Sequence, residues 1–306
     1  MNIYNETTDI KIEKASAVAL GAFDGLHLGH MKVIGEAVRS RFEPSVFTFE
    51  EDPSKFTKGR AEYLITKEDK LKALEKSGVR NLFSFDFQKI RELPPERFFT
   101  EILIGKCRAA MLTCGENFRF GKGAAGDTQL LEKLCRENGV TLKICDPVNL
   151  QGEIISSTGI RAALKNGDVK AANRMLGHHF YFTLPVIGGN RIGRTLGTPT
   201  INQLLPEGFV KPKFGVYAAL VDIDGDKHWG VANIGTKPTV GKYDPLSETW
   251  IGEFKGDLYG RKIRIELLDF IREEKKFDSL DALKAEIMRN AEIARALAEP
   301  YLSLYK

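Results

Sequence analysis

The chain has 306 residues, of which 42% are hydrophobic and 28% are charged, and its formal net charge is +4. This length can bury two ordinary hydrophobic cores, so we expect two domains. The small positive charge suits an enzyme that attracts anionic nucleotides, but it is well below that of a duplex-DNA-binding protein, so we expect no nucleic-acid partner. Since no apolar run approaches the roughly 20 residues that span a bilayer, we expect no membrane partner either.

Cysteine usage and the start of the chain predict a cellular compartment. Residues 1–6 are polar and predict no signal peptide. The cysteine spacings match no zinc or redox motif, which favours reduced, buried thiols in a cytoplasmic protein. The four cysteines are Cys107, Cys114, Cys135 and Cys145.

The first half of the chain alternates β-rich apolar runs with helical patterns. The strands are predicted at 17–20, 45–49, 81–85, 109–114 and 141–145, and the helices at 31–40, 67–77, 95–105, 127–138 and 158–176. This alternation predicts right-handed crossovers and a doubly wound parallel α/β sheet. Ligands of such sheets bind beyond the carboxyl ends of the strands.

The pattern changes near residue 182, where we place the domain boundary, giving domains 1–182 and 183–306. Short strands are predicted at 182–187, 215–221, 228–234, 248–254 and 261–270, with a hairpin turn at 222–226. They predict a small antiparallel β-barrel, followed by one amphipathic helix that begins near Asp278 or Ser279. We expect Trp229 to pack in a core and His178 and His179 to be solvated. The apolar stripe of the last helix comprises Leu280, Leu283, Ile287, Ala291, Ala294 and Leu297.

A histidine-bearing glycine loop follows the first predicted strand and opens the first helix. It carries His27 and His30 in a His-x-Gly-His pattern. A helix N-terminus offers unpaired N–H groups and partial positive charge, and glycines let phosphate approach the backbone. The two imidazoles can donate to oxygens that gain charge at a reacting phosphate. Two surface histidines on a glycine turn are the alternative. The proposed ATP-binding residues of this loop are Gly21, Phe23, Asp24, Gly25 and Gly29.

Two further segments lie where the same sheet predicts a ligand. Residues 115–121 follow the fourth predicted strand and offer a backbone nest, aromatic rings and polar groups. Ser156, Thr158 and Arg161 stand at a helix start, where hydroxyls and a guanidinium suit departing pyrophosphate. Core packing for the first segment and a plain helix cap for the second are the alternatives.

A basic, glycine-rich stretch at 189–202 precedes the second-half strands. Its glycines would let a flap close on the phosphates of ATP, and Thr200 and Asn202 present oxygens two residues apart, as Mg²⁺ bound with ATP prefers. A Pro-Thr turn with an exposed Asn is the alternative. The ATP-binding residues predicted here are Gly189, Gly193, Arg194 and Gly197.

The order of these motifs resembles the bacterial bifunctional riboflavin kinase/FMN adenylyltransferase family, also called FAD synthetase. Residues 1–182 resemble its adenylyltransferase module, similar to the His-x-Gly-His nucleotidyltransferases, and residues 183–306 resemble its riboflavin kinase module. The resemblance implies that His27 and His30 contact the phosphates of ATP. It also implies a flavin pocket, whose residues would be Asn117, Phe120 and Asp127.

In the second module the resemblance rests on 215–218, 230–239, 248–250, 257–260 and 275–280. It implies that Glu248 is the catalytic carboxylate facing the ribityl hydroxyl, with Mg²⁺ at Thr200 and Asn202. A strand-edge carboxylate facing solvent is the alternative for Glu248. The chain departs from the family pattern at Ala22, Asp52, Gly159, Ile201 and Trp250.

The predicted function is therefore bifunctional: riboflavin is phosphorylated to FMN, and FMN is adenylylated to FAD with release of pyrophosphate. Riboflavin, FMN and FAD are substrates or products, ATP is the co-substrate, and Mg²⁺ serves both steps. One alternative is a monofunctional riboflavin kinase whose first half only binds nucleotide, as the departures at Ala22 and Asp52 suggest. The other is a nucleic-acid or regulatory binding protein built on old enzyme domains.

Overall fold

The computed structural model describes residues 1–8, 10, 12–51, 56, 62–188, 198–239 and 242–303, with backbone alone at 237–239 and 242–244. The chain forms two compact units. The first comprises Met1–Tyr63 with Lys67–Ser156, and the second comprises Leu64–Thr66 with Ser157–Lys306. The second unit therefore includes the helical segment after residue 156. The functional boundary at residue 182 stays a prediction.

The first unit is built on a six-stranded sheet in the order β1-β4-β3-β2-β5-β6, in which every pairing is parallel. This confirms the predicted doubly wound sheet. The short β1 was not predicted, because three residues show no periodicity; it is held beside β4 by the hydrogen bond from Asn2 N to Arg80 O, 2.8 Å. The strands are β1 Asn2–Tyr4, β2 Ser16–Leu20, β3 Glu43–Phe49, β4 Asn81–Phe85, β5 Ala109–Gly115 and β6 Thr141–Cys145.

The helices of the first unit include α1 Leu28–Val38, α2 Lys67–Lys76 and α3 Thr128–Glu137. The predicted helix at 95–105 is mostly a π-helix, Phe98–Lys106, in which Cys107 N donates to Ile102 O at 2.8 Å. Short helical turns and a small hairpin are the other elements in the part of this unit that the structure describes. They are Phe87–Ile90, Pro95–Arg97, Lys122–Ala124 and the strands β7 Asn149–Leu150 and β8 Glu153–Ile154.

The second unit is built on a curled antiparallel sheet in the order β10-β13-β12-β11-β14-β9. Its two edges approach each other, since Ile187 N donates to Asn202 O at 2.8 Å and the buried Gln203 donates to Leu184 O at 2.7 Å. The sheet is therefore curled into a half-barrel whose edges meet at these hydrogen bonds, which confirms the predicted small antiparallel β-barrel. The strands are β9 Phe180–Pro185, β10 Thr200–Leu204, β11 Gly215–Ile223, β12 Asp226–Thr239, β13 Lys242–Ile251 and β14 Lys262–Arg272.

The hairpin turn between β11 and β12 is confirmed. Asp224 and Gly225 both adopt positive φ, 57° and 96°, which is the conformation that matches the twist of a two-residue hairpin. The Asp222 carboxylate accepts a hydrogen bond from Gly225 N at 2.9 Å and stabilises the turn. The alternating Asp residues and the Gly at 222–226 were therefore enough to predict the turn.

The described part of the second unit also contains three helices: α4 Ser157–Asn166, α5 Val169–Leu176 and α6 Leu280–Leu302. Ser279 caps α6 through its hydroxyl, as predicted, and Ala294 and Ala298 pack fully buried against the sheet. Trp229 packs beside the same cluster, as predicted. The predicted stripe is wrong at Leu280, which is 66% exposed because it lies in the first turn, beyond the part of the helix that touches the sheet.

A buried ion cluster surrounds Glu266 of β14. Its carboxylate lies 2.7 Å from Lys227 Nζ, 2.9 Å from Arg264 Nε and 3.2 Å from His179 Nδ1. Although burial alone would raise its pKa, His179, Lys227 and Arg264 hold the pKa of Glu266 at about 2. His179 is therefore half-buried and paired rather than solvated, which corrects the prediction.

Replacing Glu266 should destabilise the second unit. The change Glu266→Gln removes the carboxylate that Lys227, Arg264 and His179 share and leaves the buried Lys227 with Asp222, at 3.0 Å, as its remaining acidic partner shown here, so we expect the free energy of unfolding to fall by about 2 kcal/mol. Urea unfolding followed by tryptophan fluorescence measures this unit selectively, because the chain's two tryptophans, Trp229 and Trp250, both lie in it.

The matched control is Glu253→Gln. Glu253 lies 3.7 Å from Arg295, with both side chains exposed, so its loss should change the unfolding free energy by less than about 1 kcal/mol. Equal effects of the two changes would contradict a stabilising role for the Glu266 cluster.

Candidate active sites

The histidine loop lies at the point of the first sheet where the strand order reverses. From β2 the sheet continues to β3 on one side and to β5 on the other, and residues 21–27 connect β2 to α1. Thr113 of β5 donates to Val33 O at 2.9 Å and fixes α1 over this edge. A crevice beyond the carboxyl ends of strands at such a switch is where doubly wound sheets bind ligands.

The backbone of this loop is held in an uncommon conformation. Phe23 and Leu26 have positive φ, 52° and 48°, and Gly25 has φ 80°. Phe23 is 1% exposed, and a Cβ placed on Gly21 would lie 3.0 Å from its ring. A side chain at residue 21 would therefore crowd the Phe23 ring, and glycine relieves this close contact.

His27 and His30 are brought together at the start of α1. His27 is the N-cap residue, and its Nδ1 accepts a hydrogen bond from His30 N at 3.3 Å. The two rings stack at 3.5 Å between centroids, and Phe23 meets His30 edge-on at 5.4 Å. Because His27 Nδ1 is an acceptor, the proton of the neutral ring is on Nε2, which is then a donor.

Both imidazoles are neutral near pH 7. Burial lowers the pKa of His27 to about 4. Burial also lowers the pKa of His30 well below its usual value, and protonated His27 and the charge of Lys70 lower this pKa further. His30 Nδ1 is buried and makes no hydrogen bond to any group in the described part of the chain. The pair is therefore suited to donating hydrogen bonds from neutral rings.

Lys70 and Thr48 also contact the histidine loop, and sequence reasoning identified neither as a site residue. Lys70 Nζ donates to Ala22 O at 2.6 Å and to Thr48 Oγ1 at 3.1 Å. The only sequence signal for Thr48 is its place near the end of a predicted strand, and Lys70 lies in a helix that looks like an ordinary charged surface helix. The partner atom at residue 22 belongs to the backbone, so the departure to Ala22 does not remove this contact.

The segment after β5 lies at the same edge of the sheet. Asn117 is exposed, with its Oδ1 close to Gly115. Phe120 is 5% exposed and belongs to the core, where it stacks with the half-buried Phe118 at 5.8 Å. Asp127 caps α3 by accepting from Leu130 N at 2.9 Å and lies 3.4 Å from Arg119. Of the three predicted flavin residues, Asn117 is the exposed one.

The predicted pyrophosphate element lies around the start of α4. Ser156 is the last residue of the first unit, and Thr158 and Arg161 lie in the first two turns of α4, which belongs to the second unit. Ser156 and Arg161 are half-buried, and Thr158 is exposed. This arrangement keeps the hydroxyls near a helix N-terminus, as predicted.

Three adjacent strands of the second unit place polar side chains on one face. Asn202 of β10 lies opposite Glu248 of β13, which lies opposite Asn233 of β12. Thr200 lies two residues before Asn202 and opposite Trp250, and therefore on the same face. The opposite face carries the fully buried Gln203, Ser247 and Thr249.

Asn233 is a further residue that sequence reasoning missed as a site candidate. Its Oδ1 is buried and has no hydrogen-bond partner in the described part of the chain. A buried amide oxygen normally has a partner, because an unpaired one costs free energy. The sequence signal is one polar residue between Ala232 and Ile234, which are both fully buried.

Some predicted residues lie outside the described residues: Asp52, Gly189, Gly193, Arg194 and Gly197. Within the residues that the structure describes, no three His, Cys, Asp or Glu side chains cluster as a metal site. Over the same residues, no helix is both long and apolar enough to cross a membrane. The four cysteines are free and buried, as predicted.

The chain matches two protein-family sequence models. The FAD synthetase family model matches residues 9–159, and the riboflavin kinase family model matches residues 176–298. The chain is 35% identical over 298 residues to the bifunctional riboflavin kinase/FMN adenylyltransferase of Bacillus subtilis, covering 93% of each. It is 36% identical over 291 residues to the enzyme of the same name from Escherichia coli K12, covering 92% of this chain and 93% of that one. The chain belongs to the bifunctional riboflavin kinase/FMN adenylyltransferase family.

A solved structure supports the fold over nearly the whole chain. It is described as a macrolide-efflux protein from Streptococcus pneumoniae, with TM-score 0.86, 29% identity and coverage of 96% of this chain and 99% of that one. For this member of the family, the presence of both the FAD synthetase and the riboflavin kinase parts confirms the predicted bifunctional enzyme over the monofunctional alternative.

The buried histidine pair should make the first unit sensitive to mild acid. The pKa of His27 is 6.5 in an unfolded chain and about 4 in the folded one, so the unfolded state binds more protons between these values. The free energy of unfolding should therefore be constant above pH 6.5 and fall as the pH drops towards 4, by about 3 kcal/mol for His27 alone.

Hydrogen exchange of the β2 and α1 amides at pH 7 and pH 4.5, corrected for intrinsic rates, measures this change. His27→Gln should remove a large part of the pH dependence, because Gln does not titrate. His228→Gln is the control, since this histidine lies in the second unit. A variant at His27 with the full wild-type pH dependence would contradict the assignment.

Proposed function

We propose that the first unit transfers the adenylyl group of ATP to FMN. A phosphate oxygen of FMN attacks the α-phosphorus of ATP, the bond to the bridging oxygen of the β-phosphate breaks, and FAD and pyrophosphate leave. The observation that carries this assignment is the stacked, neutral pair His27 and His30 at the N-terminus of α1.

The geometry suits this reaction because no proton has to be removed from the nucleophile. The phosphate of FMN is already ionised near pH 7, so a general base is unnecessary. The reaction needs donors for the oxygens of the five-coordinate phosphorus. Neutral imidazoles with N–H groups supply them, and the partial positive charge of the helix N-terminus adds to their effect.

The surrounding residues are proposed to bind the remaining parts of the substrates. The loop would hold ATP through its backbone N–H groups and through Asp24, and the hydroxyls of Ser156 and Thr158 with Arg161 would bind the departing pyrophosphate. Asn117 is proposed to contact the flavin directly. Phe120 and Asp127 are proposed to shape that pocket, by supporting Phe118 and by capping α3. The loop positions are Gly21, Phe23, Asp24, Gly25 and Gly29.

We propose that the second unit phosphorylates riboflavin, with Glu248 as the catalytic base. Its carboxylate accepts the proton of the terminal ribityl hydroxyl while that oxygen attacks the γ-phosphorus of ATP, and ADP leaves. The register that places Glu248 between Asn202 and Asn233 supports this role, because two amides at fixed distance can orient the carboxylate and the hydroxyl. Gly189, Gly193, Arg194 and Gly197 are proposed to cover the phosphates of ATP.

The side chains on this face fit Mg²⁺. The donors are hydroxyl, amide and carboxylate oxygens, which hard cations prefer. The buried Oδ1 of Asn233 has no hydrogen-bond partner among the residues that the structure describes, so this face offers a further acceptor. Thr200 and Asn202 would hold the ion. When bound, Mg²⁺ offsets negative charge on the phosphates of ATP. We propose that it serves the adenylyl transfer as well.

Riboflavin, FMN and ATP are proposed to be the only partners that turnover requires, without nucleic acid or membrane. The four buried, free thiols support action in a reducing cytoplasm. Turnover by the purified protein with these small molecules and Mg²⁺ alone tests the first statement.

The two activities should be separable by mutation. Glu248→Gln keeps the shape of the side chain but cannot accept a proton, so FMN formation should fall at least about 100-fold while adenylylation of supplied FMN stays at the wild-type rate. His27→Ala with His30→Ala should abolish FAD formation and spare FMN formation. Chromatography of products from riboflavin or FMN with ATP and Mg²⁺ measures both.

Each variant is the folding control for the other, because the unaffected activity reports an intact chain. If either change abolished both activities in folded protein, the assignment of one reaction to each unit would be wrong.

The metal assignment predicts a change in Mg²⁺ requirement. Asn202→Ala removes one proposed ligand, so the Mg²⁺ concentration for half-maximal FMN formation should rise about tenfold, while that for FAD formation is unchanged. Leu204→Ala is the matched control, since Leu204 lies two residues further along the same strand face and is 43% exposed. An unchanged Mg²⁺ curve for Asn202→Ala would argue against this ligand.

A further inference from the structure

The ammonium group of Lys70 joins three elements of the first unit at one backbone oxygen. From α2 it donates to Ala22 O at 2.6 Å and to Thr48 Oγ1 at 3.1 Å. Thr48, near the end of β3, donates its own hydroxyl to the same Ala22 O at 3.0 Å. A threonine hydroxyl can donate once and accept at the same time, so all three contacts are compatible. These three hydrogen bonds form a small network that anchors the histidine loop to α2 and β3.

This network fixes the direction of a backbone N–H in the loop. All peptide bonds of the described residues are trans, so the carbonyl of Ala22 and the N–H of Phe23 point in opposite directions from one planar unit. With Ala22 O bound to Lys70 and Thr48, the N–H of Phe23 is directed away from them. Phe23 has φ 52°, a conformation that most side chains disfavour and that needs such support.

Lys70 also supplies a positive charge beside two neutral rings. Burial is the main cause of the lowered pKa of His30, and the charge of Lys70 adds to the lowering. Since neither histidine is charged at neutral pH, the attraction of this end of the loop for a triphosphate depends on the helix N-terminus and on charged groups such as this one.

We propose that Lys70 is a positioning residue for adenylyl transfer: it orients the peptide between Ala22 and Phe23 towards the phosphates of ATP, and its charge attracts them. The proposal rests on the adenylyltransferase function proposed for this unit. The proposal gives this role to Lys70 and not to Lys72 of the same helix. Lys72 is exposed and pairs with Glu68 at 2.9 Å.

The experiment compares Lys70→Met, Lys70→Arg and the control Lys72→Met in the full chain. FAD formation is measured with ATP and FMN varied in turn, and FMN formation from riboflavin is measured in the same preparations. For Lys70→Met we expect kcat/KM for ATP in FAD formation to fall at least tenfold, with the KM for FMN within twofold of wild type. Lys70→Arg should recover a large part of the loss, because it keeps the charge and the donors, and Lys72→Met should behave as wild type.

Ionic strength separates a charged positioning group from a plain structural support. In the wild type, kcat/KM for ATP in FAD formation should decrease with added salt, and Lys70→Met should flatten this dependence, because salt screens charges. A support without an electrostatic role would leave the slope unchanged in all variants, which would overturn the electrostatic part of the proposal.

Two outcomes would overturn the proposal as a whole while leaving the proposed function intact: wild-type FAD kinetics in Lys70→Met, or equal effects of Lys70→Met and Lys72→Met. If Lys70→Met loses FMN formation too and is misfolded, Thr48→Val decides, since it removes one partner of Lys70. A several-fold loss of kcat/KM for ATP with intact FMN formation would support the proposal, and wild-type kinetics would overturn it. A wild-type chain that forms no FAD from FMN and ATP would instead refute the proposed function itself.

Discussion

The hydrogen bond from His30 N to His27 Nδ1 is the contact on which the first site depends. Most helix N-caps are Ser, Thr, Asp or Asn, whose side chains end at the cap. Here the cap is an imidazole, so the group that begins α1 also has a second nitrogen on the far side of its ring. The same bond fixes which nitrogen carries the proton and holds the two rings in contact. One hydrogen bond therefore both caps the start of α1 and orients the imidazole N–H donors.

The second site depends on register rather than on a helix end. Asn202, Glu248 and Asn233 come from three strands that are far apart in sequence, and antiparallel pairing alone brings them opposite one another. A slip of one residue in β13 would move Glu248 to the face that now carries Ser247 and Thr249, which are completely buried. The core of the half-barrel thus protects the geometry of the polar face.

Much of this arrangement could be predicted from sequence, because hydrophobic periodicity and the residues typical of turns and helix ends are local signals. The alternation of the first half gave five of the six parallel strands, and the position of the histidine loop followed from the rule that such sheets bind ligands at their carboxyl edges. The start of α1 was placed three residues late, because a histidine cap does not resemble the common caps. Lys70 and Asn233 were missed because their roles arise from contacts between segments that are distant in sequence. His179 was misjudged for the same reason: nothing near residue 179 indicates that Glu266 lies beside it.

Asn202 contributes to two structures at once. Its main-chain carbonyl accepts the hydrogen bond from Ile187 that brings the two sheet edges together, while its side chain lies on the face of Glu248. The seam of the half-barrel and the proposed phosphotransfer site therefore share a residue, and opening motions of the seam must displace the amide side chain. Occupancy of that face would slow such opening, so the Ile187 amide becomes a reporter, at the rim of the barrel, of what is bound next to Glu248.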